Sequence, residues 1–333
     1  MDFIASGTIA APAAPSPRVI RLGDFELRGG RIVLPKTGNS ATIDRGMIAE
    51  VAIWVIAYLA IRARALFVRR TPRRSIWFTP DVPHPRYMVR LAALRAGIGV
   101  ARTPAEATAT FFFEDATRSI PPTPGSAKAF NFGCGDISKS RVARVFAQVF
   151  GYPLAVDPVT WTGPAVEKDE ANGTHDGRII ACPCAAKPDK VYQRLIDTVR
   201  ADGFAYDLRT HVVGGAVVAV WTKQRTVPGR FLPANRSATL HAPAEIFSPA
   251  ELDRIVTFAR AMGADWAGID VLRDADGRIY IVDVNKTDAG PIIALSLADK
   301  LRSVAVLGAA LTAMIDQPSS AAASASTRAT RAA

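Results

Sequence analysis

The sequence predicts a mixed α/β (α+β) fold. From Ser75 onward strand-like runs alternate with helix-like runs, and the last two strand-like runs form a hairpin. A chain of 333 residues, 49% of them hydrophobic, can also bury the core of two or three structural units. Both ends are poor in core-forming residues, so we expect residues 1–45 to be largely disordered or irregular and residues 317–333 to be a disordered tail.

Residues 46–72 predict an amphipathic basic helix. An apolar, aromatic run is followed by a dense group of arginines: Arg62, Arg64, Arg69, Arg70, Arg73 and Arg74. The uncharged core of this run is shorter than the roughly 18 residues of a membrane span. We therefore expect a buried or interfacial helix, which either contacts a membrane peripherally or docks on the rest of the chain or on a second subunit.

The net charge of +11 indicates affinity for polyanions, but nucleic acid is disfavoured as a partner. The basic residues are not interleaved with aromatic stacking positions, and no nucleic-acid-binding module is recognised. The three cysteines predict structural thiols, because the CPC spacing is too tight for the usual zinc ligand pair. Few cysteines and no signal-peptide pattern predict a cytoplasmic protein.

Residues 73–130 predict a small parallel α/β layer. SIWFTPD is typical of a strand, HPRYMVRLAALRAG of a helix ending at Gly97, and IGVAR and ATATFFFED of two further strands. The PPTPGS stretch then predicts a linker. Polar residues at the strand ends, such as Asp81 and Asp115, are expected to face a crevice.

Residues 131–316 predict a second layer with more strands. A helix begins near Asp136 or Ser138 and ends at Gly151, and PAVEK and RIIACPC are strands on either side of the polar loop DEANGTHDGR. Further strands follow in KVYQRLID, YDLRTHVVGG and AVVAVWTKQR, then a capped helix in SPAELDRIVTFARAMG. The hairpin comes next, and PIIALSLADKLRSVAVLGAALTAMI is expected to be helical throughout.

The hairpin strands each carry a carboxylate. Asp270 lies in GIDVL, and in RIYIVDVN the alternation predicts that Ile281, Asp283 and Asn285 share one face. Asp276-Gly277 is the predicted tight turn between them. Pairing of the two strands would bring three oxygen ligands close together. Mg²⁺ prefers such ligands, and it binds few carboxylates beside substrate phosphates. The alternative is a solvated polar edge.

The order of the motifs resembles the ATP-grasp ligase fold. Lys139, Lys168, the glycine loop, YQRLID, DLR and the D…DxN pattern follow one another between about Ser75 and Ile315. The resemblance implies an ATP-grasp domain over 131–316, preceded by an N-terminal Rossmann-like pre-ATP-grasp domain over 73–130. It is carried by the order, since each motif alone is weak.

The resemblance also implies roles for individual residues. Lys139 and Lys168 would reach nucleotide phosphates, backbone near Gln193 to Leu195 would meet adenine, and Arg209, oriented by Asp207, would grip the transferred phosphoryl group. The implied nucleotide-binding set is Lys139, Lys168, Gly173, His175, Gly177, Gln193, Arg194 and Leu195. The implied catalytic residues are Arg209 and Arg230, and the implied metal ligands are Asp270, Asp283 and Asn285.

Several of these residues have an equally simple structural interpretation. Either lysine alone could be a solvated surface charge, and the same holds for Arg230 and His175. Lys286 and Thr287 would contact the acceptor or acyl group, while the other histidines, including His211, show no paired base in the sequence. Aspartate at position 283 departs from the glutamate that is usual in the family.

The activity that the resemblance implies is ATP-dependent ligation. Mg·ATP (or Mn·ATP) would phosphorylate a small carboxylate, and an amine or thiol would displace phosphate from the acyl phosphate. The alternative is a nucleotide-binding interaction or membrane-peripheral protein without ligase turnover, for which the departure at Asp283 leaves room.

Overall fold

The structure is a computed structural model of the chain and describes residues 20–22, 25–33, 40–68, 74–125, 128–232 and 234–317. It contains two compact units, Met1–Ala49 and Glu50–Ala333. Residues 1–19 and 318–333, expected to be disordered, lie outside the described residues, as do residues 69–72 of the predicted basic helix.

The N-terminal unit contains a small antiparallel sheet where the sequence predicts largely irregular chain. Its four strands pair in sequence order: β1 (Ile20–Leu22), β2 (Phe25–Arg28), β3 (Arg31–Val33) and β4 (Ser40–Thr42). Gly29 and Gly30 join β2 to β3 with positive φ angles of 56° and 74°, which suit a tight hairpin. Strands of three or four residues are too short for a periodic sequence signal.

Helix α1 (Arg45–Ala65) follows. It is not amphipathic, because apolar residues occupy its whole circumference and only Ala57, Ile61 and Ala65 are buried. Among the described residues it is the one helix long and apolar enough to cross a membrane, judged by length and composition alone.

A four-stranded parallel layer comes next, with strand order β6-β5-β7-β8. Its elements are β5 (Ser75–Pro80), α2 (Met88–Arg95), β6 (Gly99–Val100), β7 (Ala109–Phe113) and β8 (Ala129–Phe130), with a short 3₁₀ turn at Pro104–Glu106. The parallel layer agrees with the predicted fold class. The description of it as a Rossmann-like domain stays a prediction.

The rest of the chain forms two antiparallel sheets with helices. Helix α3 (Lys139–Phe150) ends at Gly151, whose φ is 80°, and leads into a sheet of order β10-β9-β11, made of β9 (Gly163–Asp169), β10 (Arg178–Cys182) and β11 (Lys190–Arg194). The larger sheet has the order β14-β13-β12-β15-β16. Its strands are β12 (Phe204–Val213), β13 (Ala216–Thr226), β14 (Ser237–His241), β15 (Trp266–Arg273) and β16 (Ile279–Asn285).

Three helices complete the chain: α4 (Pro243–Ile246), α5 (Pro249–Ala261) and α6 (Leu297–Asp316). Helix α6 begins six residues later than predicted, because Ser296 is its N-cap and accepts a hydrogen bond from the Asp299 amide. Pro291 and the residues after it form turns instead. Helix α6 packs on α2 so closely that a Cβ at Gly308 would lie 2.9 Å from the Ala92 carbonyl oxygen.

Two hydrophobic clusters support these layers. One lies between the helices α3 and α5 and one face of the five-stranded sheet, and includes Phe146, Phe258, Ile269 and Ile281. The other lies between the parallel layer, α2 and α6. The opposite face of the large sheet carries polar side chains, together with Trp221 and Trp266, which pack in the second cluster.

Candidate functional site

A row of charged side chains crosses the polar face of the five-stranded sheet. In the strand register Lys223 is opposite Asp207, Arg209 is opposite Asp270, and Asp270 is opposite Asp283. Cross-strand partners lie about 5 Å apart, so their side chains interact. The pairing therefore places two of the predicted metal ligands side by side with a predicted catalytic arginine.

A β-bulge sets the direction of these side chains. The register shifts between Asp270 and Val271, and beyond the shift Val271 pairs with Ile281 in the core. The prediction that Ile281 shares a face with Asp283 is therefore wrong, because the extra residue of a bulge turns the following side chains to the other face. Asp283 and Asn285 remain on the polar side.

Asp270 is held by two cations. Its Oδ1 lies 3.0 Å from Lys223 Nζ and 3.4 Å from Arg209 Nε. Burial alone would raise the pKa of Asp270, but the charges of Arg209 and Lys223 hold it well below its usual value. This carboxylate is ionised at any pH near neutral.

Asp283 has a different environment. Within the described part of the chain its Oδ1 is buried and has no hydrogen-bond partner. Burial, and the neighbouring charge of Asp270, raise the pKa of Asp283, although Lys139 and Lys168 oppose the shift. Buried polar atoms are nearly always paired, so this unpartnered oxygen is chemically suited to contact a cation.

Asn285, the third predicted metal ligand, is connected to the glycine loop. Its Oδ1 accepts a hydrogen bond of 3.1 Å from Asn172 Nδ2, which also donates to the Val284 carbonyl oxygen at 3.3 Å. The backbone N–H of Asn172 donates to Thr117 Oγ1 at 2.8 Å. The loop is thus fastened to the strand that carries Asp283.

The two predicted phosphate-binding lysines both lie near Asp283. Lys139 begins α3 and donates to the Ala171 carbonyl oxygen at 2.5 Å, and Lys168 on β9 donates to Gln193 Oε1 at 2.9 Å. Among the described residues neither ammonium group has a carboxylate within ion-pair distance. Removal from water lowers the pKa of Lys168 to about 8, although the Asp283 charge opposes this.

The predicted glycine loop connects β9 to β10. Gly173 has a φ of 78° and His175 a φ of 52°, and the His175 side chain is exposed. A Cβ at Gly177 would lie 2.9 Å from the Phe231 ring, so the loop packs directly beside the segment that carries Arg230. Asp176 closes the loop by accepting hydrogen bonds from Thr174 and Lys190.

In the segment predicted to bind adenine, a side chain reaches the site where backbone groups were expected. The Arg194 amide is already bonded to the Leu154 carbonyl oxygen at 2.9 Å, so it does not face the site. The buried Gln193 side chain reaches the site instead, through Lys168, and its Nε2 has no partner among the described residues. Leu195 is half-buried just beyond the strand.

The predicted arginines are both partly buried. Arg209 donates to the Gly268 carbonyl oxygen at 3.2 Å in addition to its contact with Asp270. Asp207 does not orient Arg209 as predicted, because it pairs with Lys223 at 3.1 Å and Arg225 at 2.6 Å. Arg230 is placed by its backbone, whose carbonyl oxygen accepts from Arg225.

Lys286 and Thr287 face the parallel layer. Lys286 Nζ donates to Ser119 Oγ at 2.8 Å, and Thr287 Oγ1 donates to Asp115 at 2.8 Å. Ser119 also lines an open cleft of about 700 Å³, together with Pro80, Phe112, Glu114, Arg118, Ile120 and Pro122. The cleft lies beside the end of β16 that carries Asn285.

Sequence reasoning missed four polar residues. Lys223 and Arg225 lie two and four residues after Trp221 on β13 and share its face, which the pairing with β12 makes the face of Asp207 and Arg209. The third residue, Asn172, has no sequence signal. The fourth is His211, which was thought to lack a partner: its Nε2 lies 3.0 Å from Asp288 Oδ2, and Asp288 also accepts from Trp266 Nε1.

The residues fit a magnesium ion that is shared with phosphates. No group of three or more His, Cys, Asp or Glu side chains suited to a metal exists among the described residues, so a cage made of protein ligands alone is excluded there. Two opposed carboxylates and an amide oxygen, one of them with an unpartnered oxygen atom, suit Mg²⁺, which binds few carboxylates and completes its shell with phosphate and water.

No family model matches the chain, and no curated protein matches it. The chain is similar to several solved structures. One is the ATP-grasp ligase PsnB in complex with a minimal precursor, Mg and ADP, at 15% identity over 73% of this chain and 97% of that chain, with a TM-score of 0.48.

Two further solved structures are similar. An ATP-grasp RimK domain protein of Sphaerobacter thermophilus has 14% identity, covers 72% of this chain and 99% of that chain, and gives a TM-score of 0.45. The D-Ala:D-Ser ligase VanG of Enterococcus faecalis has 12% identity, covers 63% and 73%, and gives 0.41. At these identities and TM-scores the similarities assign no activity to the chain.

Proposed function

We propose that this chain is a Mg²⁺- and ATP-dependent ligase. It phosphorylates a carboxylate with ATP, releasing ADP, and an amine or thiol then takes the acyl group from the acyl phosphate and releases inorganic phosphate. One observation carries the proposal: Lys139 and Lys168 are held only by neutral acceptors, beside a carboxylate oxygen of Asp283 that has no partner among the described residues. Two ammonium groups and a vacant carboxylate oxygen suit a metal-bound polyphosphate. Among the ATP-dependent enzymes, the order of the motifs favours a ligase.

The chain's own residues have distinct tasks in this reaction. Lys139 and Lys168 would donate hydrogen bonds to phosphate oxygens, and the amides of the loop around Gly173 would add further donors. Arg209, fixed by Asp270 and the Gly268 carbonyl oxygen, would stabilise charge on the transferred phosphoryl group. Asp270, Asp283 and Asn285 would hold Mg²⁺, which when bound neutralises phosphate oxygens.

The acceptor is proposed to enter through the cleft beside Lys286. The ammonium group of Lys286 is buried and fixed by Ser119, and Arg118 lines the same cleft. A carboxylate entering there would meet positive charge next to the strand that ends at Asn285. Alignment of the carboxylate with the phosphoryl group would then supply much of the rate enhancement.

Calorimetric titration with Mg·ATP, followed by assay of ADP release over a panel of carboxylates with amines and thiols, tests the proposal. We expect Lys168→Met and Asp283→Asn to weaken Mg·ATP binding at least tenfold, while Asp276→Asn in the exposed turn binds as the unmodified chain does. Binding without ADP release on any acceptor would favour the nucleotide-binding interaction protein. Unchanged binding in both site variants would show that the site is misassigned.

A further inference from the structure

Helix α1 presents an unbroken apolar stripe to solvent. Exposed residues recur every three or four positions along one side of the helix, the spacing of a single helical face: Ile48, Ala52, Val55, Ile56, Leu59, Ala63 and Leu66. Leu59 is 58% exposed and Leu66, just beyond the helix, is 80% exposed. At about 1.5 Å per residue the stripe is roughly 27 Å long. Ordinary protein surfaces expose apolar residues singly rather than in a continuous patch of this length.

The opposite side of the helix is docked on the protein. Ala57, Ile61 and Ala65 are buried, and Ile61 belongs to the hydrophobic cluster of the parallel layer, with Tyr58 packed against it. Glu50 lies seven residues before Ala57, and therefore on the docked side rather than on the stripe. The exposed stripe consequently carries no acidic residue.

This docking limits how the helix can meet a bilayer. From Ala57 onward the helix is held against the protein, so only the part before it is free to enter a membrane end-on. That part rises about 18 Å, well short of the roughly 30 Å of hydrocarbon that a spanning segment must cross. A helix lying parallel to the membrane surface satisfies both the docking and the stripe.

The charge near the stripe indicates which kind of partner surface would cover it. Arg62 and Arg64 are both exposed at the C-terminal end of the helix, and the chain as a whole carries +11. Arg62 lies three residues after Leu59 and flanks the stripe, whereas Arg64, seven residues after Ala57, lies on the docked side. Two copies of this chain would repel each other, whereas an anionic lipid surface attracts each arginine near it. Phe67, 87% exposed beside them, adds a large apolar side chain at the same end.

We propose that α1 and the adjoining Leu66 and Phe67 form a membrane-docking surface, on which the helix lies flat in one leaflet of an anionic bilayer. The apolar stripe enters the acyl boundary, and Arg62, which flanks the stripe, contacts the headgroups. This inference is independent of the proposed ligase activity. It places the cleft and the nucleotide site of the same chain at a membrane surface.

Flotation of the full chain with lipid vesicles tests the proposal. We expect binding to vesicles of mixed phosphatidylglycerol and phosphatidylcholine and much weaker binding to pure phosphatidylcholine. The double variant Leu59→Asp/Leu66→Asp should bind at least tenfold more weakly. Arg62→Gln should lose more of the preference for anionic lipid than Arg64→Gln does, because only Arg62 flanks the stripe. The matched control is Ile120→Asp, since Ile120 is 95% exposed elsewhere and should not affect binding.

Four results would overturn the proposal: no binding to either vesicle, equal binding to both, undiminished binding by the Leu59→Asp/Leu66→Asp variant, or the same loss in the Ile120→Asp control. Light scattering adds a fifth: the unmodified chain forms a dimer that does not bind vesicles, and the Leu59→Asp/Leu66→Asp variant is a monomer. All substituted residues are exposed, so unfolding temperatures should match that of the unmodified chain and would reveal a folding defect.

Discussion

Asp270 and Asp283 face each other across two antiparallel strands, but only Asp270 is neutralised by nearby cations at ion-pair distance. Although burial opposes it, the charges of Arg209 and Lys223 lower the pKa of Asp270, while burial and the charge of Asp270 raise the pKa of Asp283. Asp270 is therefore ionised whether or not a cation is bound. The buried Oδ1 of Asp283 has no partner among the described residues, which fits its proposed role as a metal ligand beside Asp270.

Asp283→Asn should stabilise the ligand-free protein and weaken its binding of Mg·ATP. Because the pKa of Asp283 is raised in the folded state, its carboxyl lowers stability as the pH rises through that pKa, and asparagine removes this cost. We expect a gain on the order of 1 kcal/mol at pH 7 that disappears at low pH. Thermal unfolding from pH 4 to 8 measures it, and a lower unfolding temperature at pH 7 would contradict the assignment.

The affinity for Mg·ATP should fall as the pH rises above 8. The pKa of Lys168 is lowered to about 8, so the free protein loses this ammonium charge there, while bound phosphate favours the charged form. Titrations between pH 6.5 and 9.5 should show the decline in the unmodified chain. Lys168→Arg keeps its charge throughout and should show a much flatter profile, and identical profiles in the two proteins would refute the role of Lys168.

Lys223→Met should destabilise the fold by about 3 kcal/mol, because it leaves Asp207 and Asp270 without the cation that bridges them. Lys223 is buried, and the cations that remain, Arg225 beside Asp207 and Arg209 beside Asp270, are each at ion-pair distance from only one of the two carboxylates. Arg74→Met serves as the comparison, since its ion pair with the half-exposed Asp316 lies at the surface and should contribute less than about 1 kcal/mol. Urea unfolding of both variants measures the difference, and equal losses would argue against the bridge.

Gly268→Ala should impair catalysis more than stability. The new Cβ would lie 3.0 Å from Asp288 Oδ2 and 3.2 Å from Arg209 Cδ, so the arginine must move. We expect kcat to fall about tenfold or more, with a stability loss of about 1–3 kcal/mol. Gly99→Ala, another strand glycine, would bring its Cβ no nearer than 3.6 Å to any atom, and its activity should be unchanged. Wild-type kcat in Gly268→Ala would show that the position of Arg209 does not matter.

Local sequence patterns were sufficient to predict most of the elements that carry the site. Helix α3 ends at Gly151 as its glycine predicts, and the β15–β16 hairpin turns at Asp276 and Gly277. Strand alternation also correctly placed Asp283 and Asn285 on one face. These features depend on residues within a few positions of one another, which is the range over which sequence patterns are informative.

The remaining features depend on pairings between distant segments. The bulge beside Asp270 reverses the face of Ile281, and no local pattern marks it. Lys223 is a site residue only because the register of β12 and β13 sets it opposite Asp207. The prediction that helix α1 is amphipathic is wrong for another reason: it assumed that the apolar residues occupy one face, whereas they continue around the helix.

Asn172 connects three segments through its own hydrogen bonds: the glycine loop, the end of β16 and Thr117, which lies between β7 and β8. Under the proposed function, a nucleotide that enters when the loop opens would have to wait for those bonds to break. We expect the residence time of Mg·ATP to depend on Asn172, although Asn172 has no assigned phosphate contact. Weakening this fastening would speed both entry and escape, so turnover could rise even as affinity falls.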